Sequence, residues 1–378
     1  MSVAQTIYSN DLAGVVVGDT AISDVQGEAG LLSYRGIDIN ELVGKPYAHV
    51  AWLVIFGRWP TEQEQAQLFA FNGLHSRLSQ DEIELLRQIP RDLHPMLMLQ
   101  GTLPMLRIPT TQTLRPLSIE AEQGLFLAIK MPALIAAHHR LGKGKEPLAP
   151  RPGKHYHHNF LYMFHGKHPS AEQVRILDAV QILQMEHSFN AGTFAGRVCA
   201  STEAPIQSSI SASVGTLFGR LHGGADQAAL EMAVSIGSAE KAGAYVQSCL
   251  EKGEKIMGMG HREYRTVDPR ARILKPMAME LCTEGKGAEL LATLVAVEAA
   301  CQQAFAAKGK EIWANVEFYK GAVFHSLGIP TDYFTAMFSM ARIIGYIAHY
   351  LEFSQDSRLI RPRANYTGDR NTTRKSAA

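Results

Sequence analysis

The sequence predicts an all-α fold with one minor β-hairpin close to its N-terminus. Apolar residues recur at helical spacing through most of the chain, and no long stretch of strand-like alternation follows residue 40. The length of 378 residues is enough for one large or two unequal domains, and a chain of this size buries roughly three quarters of its unfolded surface. We therefore expect a mostly helical protein with a sizeable core.

The hairpin is predicted within residues 12–36. Apolar and polar residues alternate weakly there, and the stretch closes on Tyr34-Arg35-Gly36. After Gly36 the apolar period changes to that of a helix, so the hairpin precedes the helical part of the chain.

Several helices are marked by their starts and by their apolar spacing. Capping boxes, in which Ser or Thr is followed three residues later by Glu or Gln, open helices at Thr61, Ser79 and Ser170. Helical spacing extends over residues 120–140 and 171–187. Short helices or turns are expected between prolines at positions 90, 95, 104 and 109, and a surface loop between residues 142 and 153.

The charge balance excludes some classes of partner. Lys and Arg total 37 against 36 Asp and Glu, so no overall field attracts nucleic acid or an acidic membrane, and any anion site must be local. This balance favours a small-molecule partner. Because 46% of the residues are hydrophobic and only 19% are charged, we also expect an oligomer.

The cysteines and the termini predict a cytoplasmic protein. The four cysteines are far apart and include no Cys-x-x-Cys pair, which indicates neither a disulfide framework nor a zinc site. No leader is expected in residues 1–14, and the terminal Ser-Ala-Ala is not a peroxisomal signal. The apolar run from Tyr333 to Tyr350 is interrupted by Arg342 and His349 and falls short of a membrane span.

A cluster of histidines invites comparison with a metal site. His155-Tyr-His-His158 lies near other histidines at positions 138, 139, 165 and 168. The spacing matches no standard ligand pattern, and histidines in a polar loop are usually solvated. We therefore predict no metal site.

The segment 255–270 carries several chemically useful groups in a short span. Gly258 and Gly260 would let the backbone approach a ligand closely, and His261 could exchange a proton near neutral pH. Arg262, Arg265 and Arg270 could hold anions, or could simply face water. Taken alone, this segment is a weak signal, because Gly-x-Gly-His also occurs by chance.

Two residues are predicted to lie on buried helix faces. His187 continues the apolar row Val174, Leu177, Val180 and Leu183, so it should point inward, either as a core histidine or as a functional one. Arg342 lies at helical spacing from Phe334, Phe338, Gly345 and His349. A buried guanidinium needs an anion, which could be an internal carboxylate or a carboxylate of the substrate.

Two further candidates are predicted from their neighbours. His222 precedes two glycines and the helical run 227–236, where the positive end of the helix dipole favours a neutral imidazole; it is either an electrophile or a simple cap. Glu317 lies among aromatic and apolar residues, where burial would suit a general base. Arg361-Pro-Arg363 is a basic tail that could merely be solvated.

Together these segments resemble the citrate synthase family over nearly the whole chain, from about Leu12 to Gly368. The motifs that carry the resemblance are Tyr34-Arg35-Gly36, Glu186-His187-Ser-Phe-Asn190, Leu221-His222-Gly-Gly, Gly258-Met-Gly-His261 through Asp268-Pro-Arg270, Asn315-Val-Glu317-Phe-Tyr, Ala341-Arg342, and Arg361-Pro362 before Tyr366-Thr-Gly368. The resemblance implies a helical homodimer. Its large domain would comprise residues 1–222 and 327–378, and its smaller mobile domain residues 223–326.

The resemblance also implies an acyltransferase that condenses acetyl-CoA with oxaloacetate and water to give citrate and CoA, without a metal or other cofactor. His222 would hydrogen-bond the thioester oxygen, Glu317 would remove a methyl proton, and His261 would polarise the ketone of oxaloacetate. The implied binding residues are, for oxaloacetate, His187, Arg270, Arg342 and Arg361 of the neighbouring subunit, and, for CoA, Gly258, Gly260, Arg265 and Lys310.

Some positions depart from the family pattern. The base position usually holds Asp, so Glu317 is one methylene longer, and Asp226 replaces a frequent Asn. Residues 94–100 lack an Asp and an Arg that often follow His-Pro-Met, and Arg220 stands where Pro is common. These departures leave two alternatives: a 2-methylcitrate synthase that uses propionyl-CoA, and a non-catalytic relative that binds CoA or a protein.

Overall fold

The computed structural model describes residues 9–368, which fold into sixteen α-helices and one small sheet. The predicted all-α class with a minor β element is confirmed. Residues 1–8 and 369–378, which include the terminal Ser-Ala-Ala and both ends of the predicted large domain, lie outside the described residues. Among the helices from residue 9 to residue 368, none has the length and apolar content needed to cross a lipid bilayer.

The predicted hairpin is present and is extended by a third strand. Strands β1 (Ser23–Gln26), β2 (Leu31–Tyr34) and β3 (Ile37–Asp38) pair antiparallel in that order, with Val25 opposite Leu32. The buried Tyr34 Oη donates to the carbonyl of Ile182 at 3.0 Å, which fixes the sheet to the helical core.

The turn of the hairpin presses against a distant loop. A Cβ on Gly27 would lie 2.2 Å from the carbonyl oxygen of Glu263, so only glycine fits there. The Gly27 carbonyl accepts a hydrogen bond from the Arg265 N–H at 3.0 Å. The sheet therefore positions the loop that follows residue 258.

Eight helices precede the loop that carries His187. All three predicted capping boxes form, because Thr61, Ser79 and Ser170 each accept from the backbone N–H three residues later. The exposed passage between the sixth and seventh helices matches the predicted surface loop. The helices are α1 (Ile39–Leu42), α2 (Tyr47–Phe56), α3 (Glu62–His75), α4 (Gln80–Gln88), α5 (Pro95–Thr102), α6 (Ile119–Gly142), α7 (Tyr156–His165) and α8 (Ala171–Gln184).

Eight more helices complete the described chain. They are α9 (Ala191–Ala200), α10 (Ile206–Leu217), α11 (Ala225–Ile236), α12 (Ala242–Lys252), α13 (Pro269–Leu281), α14 (Gly285–Ala306), α15 (Val316–Ser326) and α16 (Phe334–Ser354). Residues 334–350 of α16 are all buried, and the helix packs against α2, α6, α8, α9 and α10. It is therefore the centre of the main core.

Helices α11, α13 and α14 pack around α15, and α12 packs against α14. These helices all lie within the predicted small domain, residues 223–326. Contacts of α13 with α8 and of α11 with α16 join them to the main core. The division of the chain at residues 222 and 327 remains a prediction.

The expectation of solvated histidines was wrong for part of the cluster. His138 and His139 are buried in α6, and His157 is fully buried in the first turn of α7. The Nδ1 atom of His157 is hydrogen-bonded to the carboxyl group of Asp178 on α8. Because that partner lies on a neighbouring helix, it could not be read from the local sequence, and these side chains serve the core.

Candidate active site

Two loops that carry candidate residues are joined by backbone hydrogen bonds. Gly260 N donates to Trp313 O at 2.8 Å, and Asn315 N donates to Gly258 O at 2.9 Å. Gly258 has a φ of +78°, and a Cβ there would lie 2.6 Å from the ring of Phe318. The predicted close approach of backbone at Gly258 is thus made to the start of α15. As a result, His261 and Glu317 are held on adjoining segments.

His261 is oriented by the backbone that follows it. Its Nδ1 accepts from the N–H groups of Glu263 at 3.0 Å and Tyr264 at 3.2 Å, and these two donors favour the neutral tautomer with its proton on Nε2. Nε2 lies 3.3 Å from Nη2 of Arg270. Burial and the Arg270 charge lower the pKa of His261 to about 4. The imidazole is therefore neutral near pH 7.

Arg270 is buried, and its charge is balanced by Asp268. Arg270 Nε and Nη2 lie 3.0 Å and 2.9 Å from the two oxygens of Asp268. Burial alone would raise the pKa of Asp268, but the guanidinium lowers it below its usual value. Asp268 Oδ2 also accepts the Val316 N–H at 3.0 Å, so the start of α13 is tied to the start of α15.

His187 also lies near His261, but it is not on the helix that was predicted to carry it. The helix α8 ends at Gln184, so His187 does not continue its apolar row. Instead the chain turns, with Ser188 at a φ of +49°, and His187 Nε2 lies 3.1 Å from Tyr264 Oη. The rings of His187 and His261 are 5.6 Å apart. Burial, with Arg270 and His261 nearby, lowers the pKa of His187 well below its ordinary value.

His222 lies just before α11 and contacts the first residues of α9. Its Nε2 is 3.1 Å from Asn190 Oδ1 and 3.3 Å from the Gly192 N–H nitrogen. Burial, followed by the charge of Arg342, lowers the pKa of His222 to about 4. The predicted neutral imidazole is thus supported, and its main cause is burial.

Arg342 is almost completely buried in the middle of α16, as predicted. Its Nε donates to the Gln184 carbonyl at 2.7 Å, and its guanidinium carbon lies 4.8 Å from the centre of the Phe338 ring. The neighbouring carboxylate, Glu186, pairs with His349 at 3.0 Å instead. Within residues 9–368 Arg342 forms no ion pair, so the alternative of an internal carboxylate partner is not what the structure contains.

Glu317 lies in the first turn of α15 with its side chain 13% exposed. It forms an ion pair with Lys320, one turn later on the same helix. The Lys320 ammonium also pairs with Asp226 of α11 at 3.1 Å, and both of these side chains are fully buried. The charge of Glu317 also acts on His222 and His261, so a carboxylate is present near both histidines. It belongs to a three-membered ionic group.

One aromatic ring connects several of these groups. The Phe338 ring centre is 6.4 Å from the ring of His222, and Lys320 Nζ lies 4.3 Å above it. Arg342 lies against the same ring. A cavity of about 200 Å³ adjoins His261, and its walls include Tyr264, Arg265 and Trp313.

Other candidates lie outside this group. Arg265 is exposed at the cavity wall, and Lys310 is exposed in the loop between α14 and α15. Arg361 is exposed beyond α16, where its Nη1 donates to the carbonyl of Pro362. In the described part of one chain, Arg361 contacts none of the histidines.

Sequence reasoning overlooked five residues that support the site. All of them lie in or next to the sequence motifs, but most of their contacts join segments distant in the chain. Only the spacing of Lys320 from Glu317 was a usable signal, because residues three apart on a helix are neighbours. The five are Asn190, Asp226, Tyr264, Asp268 and Lys320.

The arrangement offers three chemical capacities in one place. Neutral imidazoles can donate hydrogen bonds to a developing oxyanion, and a carboxylate can accept a proton. Buried arginine suits the carboxylates of an anionic ligand. These capacities fit proton abstraction next to a carbonyl, followed by addition to a second carbonyl.

Comparison with known proteins agrees with this chemistry. A family profile described as "Citrate synthase, C-terminal domain" matches residues 11–363. A citrate synthase from Synechocystis sp. is 36% identical over 97% of this chain and 92% of its own. A citrate/2-methylcitrate synthase from Bacillus subtilis is 35% identical over 97% of this chain and 98% of its own. A solved citrate synthase from Thermoplasma acidophilum, in ternary complex with carboxymethyl coenzyme A and oxaloacetate, has a TM-score of 0.86 at 28% identity, covering 94% of this chain and 95% of its own.

Proposed function

Because the chain belongs to the citrate synthase family of acyltransferases, we propose that it condenses acetyl-CoA with oxaloacetate and water to form citrate and CoA. The observation that carries this proposal is the meeting of two neutral histidines, His222 and His261, with the carboxylate of Glu317 around buried arginines. That combination is what deprotonation of a thioester methyl group requires.

The first step needs a base and an oxyanion donor together. Glu317 takes a proton from the methyl carbon of acetyl-CoA, and the C–H electron pair moves into an enolate. His222 donates a hydrogen bond to the enolate oxygen, as a neutral imidazole can. Each such preorganised donor contributes roughly 3 kcal/mol, and positioned proton transfer adds about a hundred-fold to ten-thousand-fold.

The second step forms the carbon–carbon bond. The enolate carbon attacks the ketone carbon of oxaloacetate, and the ketone oxygen becomes an alkoxide that accepts a hydrogen bond and then a proton from His261. The two backbone donors at His261 Nδ1 support this role, because they favour the tautomer that carries its proton on Nε2. Water then cleaves the thioester C–S bond, which releases citrate and the CoA thiol.

Oxaloacetate carries two carboxylates, and we propose that arginine side chains bind both of them. Arg270 and Arg342 are the buried arginines of the site, and the charges of both act on His187. Arg361 of a neighbouring subunit would complete the set in a homodimer, because in its own chain Arg361 is exposed and its guanidinium donates to the adjacent Pro362 carbonyl. Closure of the smaller domain would then exclude water until condensation is complete.

CoA would bind on the side of the 258–265 loop. The exposed Arg265 and Lys310 are suited to its phosphates, and the partly exposed backbone at Gly260 can approach it closely, while Gly258 supports that backbone from below by packing against Phe318. The relative from Thermoplasma acidophilum was solved with a CoA derivative and oxaloacetate bound together. We propose no metal or redox cofactor, because neither step requires one. The four cysteines, all unpaired, support a cytoplasmic location.

The main alternative function, 2-methylcitrate synthesis, differs from the proposed one in the acyl chain of the substrate. One relative acts, by its name, as both a citrate and a 2-methylcitrate synthase. The decisive experiment compares kcat/KM for acetyl-CoA and propionyl-CoA, measured by thiol release with oxaloacetate present. We expect acetyl-CoA to be preferred; a clear preference for propionyl-CoA would instead indicate 2-methylcitrate synthesis. Tight oxaloacetate binding without thiol release from any short acyl-CoA would indicate a non-catalytic relative.

A further inference from the structure

Three ionisable side chains, one of them the proposed base, form a largely buried row. Lys320 on α15 and Asp226 on α11 are fully buried, and Glu317 is 13% exposed at the end of the row. The Lys320 ammonium pairs with both carboxylates and lies over the Phe338 ring. With all three groups ionised, the row carries one net negative charge.

The double pairing of Lys320 is more than the fold requires. Burying an ammonium and a carboxylate together gives at best a small net stabilisation, because the desolvation penalty offsets the attraction. Asp226 alone would balance Lys320 within the core. The second contact, with the partly accessible Glu317, therefore adds a link between the buried pair and the active site.

This link solves a problem that comes from the length of the base. A glutamate side chain has one more rotatable bond than an aspartate side chain, so more conformational freedom must be lost before its oxygen points at a substrate carbon. An ammonium held at one carboxylate oxygen restrains the side chain. It leaves the other oxygen available for the proton.

A cation so close would by itself weaken the base. An opposite charge within about 4 to 6 Å favours the ionised carboxylate and makes it less ready to accept a proton. Asp226 lies on the other side of Lys320 and offsets this charge. Its own pKa is raised to about 6, mainly by burial and against the lowering effect of Lys320, with Glu317 adding to the rise.

We propose that Lys320 and Asp226 are a pair of positioning residues for the catalytic base: Lys320 holds one oxygen of Glu317, and Asp226 offsets the ammonium so that the carboxylate still accepts a proton. This proposal rests on the proposed condensation, in which Glu317 is the base. It assigns the buried pair to catalysis, beyond its place in the core.

The other ionisable groups that interact with Glu317 can be separated from this effect. They are His222 and His261, each with a pKa lowered to about 4, and Arg270, which is paired with Asp268. None of them changes charge between pH 5 and pH 8. The acid limb is the part of the pH profile in which kcat falls as the pH is lowered. A shift of this limb between pH 5 and pH 8 would therefore be caused by Glu317, Lys320 and Asp226.

The test uses the full-length protein and three variants: Asp226→Asn, Lys320→Met and Lys320→Arg. For each, thiol release from acetyl-CoA is measured from pH 5 to pH 9, with KM for both substrates and a thermal unfolding curve. Asp226→Asn is nearly isosteric, and Lys320→Arg keeps the charge. Lys320→Arg and the unfolding curves therefore control for simple loss of the fold.

The two charge-changing variants should move the acid limb of kcat in opposite directions. Asp226→Asn leaves the ammonium acting on Glu317 alone, so the limb should move to lower pH by about one unit, with kcat reduced roughly tenfold. Lys320→Met leaves two carboxylates facing each other, so the limb should move to higher pH, with kcat reduced about a hundredfold. Lys320→Arg should recover most of the loss, and KM for oxaloacetate should change less than about threefold throughout.

Folded variants whose acid limbs stay in place, or move in the same direction, would overturn the proposal. If Lys320→Met does not fold, Asp226→Asn decides: an unmoved limb in that variant is sufficient to reject the role of the pair. A wild-type protein that releases no thiol would instead refute the proposed function, and this proposal with it. An active wild type with unmoved limbs refutes only the positioning pair.

Discussion

Asp268 and Arg270 form a buried two-point pair in which both carboxylate oxygens lie within 3.0 Å of the guanidinium. The same carboxylate accepts the Val316 N–H at the start of α15. One acid group thus orients the cation proposed to hold oxaloacetate and also fixes the helix end that carries Glu317. Asp268 is therefore a shared anchor for the proposed oxaloacetate site and for the proposed base.

Replacing that anchor should weaken both binding and stability. Asp268→Asn leaves the buried Arg270 without a counter-charge, so we expect the free energy of unfolding to fall by about 3 kcal/mol. We also expect KM for oxaloacetate to rise at least about tenfold. Denaturant unfolding and steady-state kinetics check these values. The control is Glu280→Gln, which breaks the half-exposed surface pair with Arg175 and should cost less than about 1 kcal/mol. Equal losses in the two variants would contradict the anchoring role.

Removing the proposed base should abolish turnover while sparing substrate binding. Glu317→Gln keeps the size of the side chain but cannot accept a proton, so kcat should fall by about a hundredfold or more. Calorimetric titration with oxaloacetate should give a Kd within about threefold of wild type. If oxaloacetate binding is lost together with activity, the residue is structural.

The neutral histidines make folding sensitive to acid. In the folded chain the pKa of His261 is about 4, against about 6.5 when unfolded. Below pH 6.5 the unfolded chain therefore binds more protons, and the free energy of unfolding should fall as the pH drops from about 6.5 to about 4. The contribution of this one group is up to about 1.4 kcal/mol per pH unit within that window and is absent above it.

Unfolding curves at several pH values test this contribution. His261→Gln removes the titrating group, so the dependence of stability on pH should be shallower in the variant than in wild type. His155→Gln is the matched control, because His155 is exposed to water in the folded chain. A slope that is unchanged by His261→Gln would mean that the imidazole is not held neutral.

The planar guanidinium of Arg342 should matter to one substrate and not to the other. Arg342→Lys keeps the charge but loses the two-pronged geometry that suits a carboxylate. We expect KM for oxaloacetate to rise about tenfold, equivalent to about 1.4 kcal/mol, with KM for acetyl-CoA nearly constant. Parallel increases in both KM values would argue against the assignment of this residue to oxaloacetate.

The proposed donation of Arg361 between subunits can be tested by mixing two inactive proteins. Arg361→Ala and Glu317→Gln should each be inactive alone. In a mixed dimer, one site would have both its own Glu317 and an intact Arg361 from the other subunit, so activity should return. If Arg361 acts within its own chain, no site in the mixture is complete, and the mixture should stay inactive. Co-expression with two affinity tags isolates the mixed dimer for this measurement.

Local signals predicted the elements of the fold well. The capping boxes at Thr61, Ser79 and Ser170 need only residues three apart, and the buried face of α16 follows from its apolar composition. These features depend on neighbours in the chain, and the sequence displays such neighbours directly.

The sequence predicted most residues of the site but not the contacts between them. His187 was placed on a continuing helix, because nothing in the apolar pattern marks the positive φ of Ser188 that turns the chain. The pair between Lys320 and Asp226 joins two helices whose packing is decided by the whole fold. The role of Arg361 depends on a second chain, which a single sequence cannot display.

The fit of Gly27 against Glu263 has a practical consequence for anyone who modifies this protein. The hairpin turn looks like a convenient surface position for a peptide insertion or a fluorescent label. It nevertheless supports the loop that carries His261, by packing against Glu263 and accepting the Arg265 N–H. A group attached at the turn would therefore disturb the position of His261. The exposed stretch at 143–145 is the safer position for immobilising the enzyme on a support.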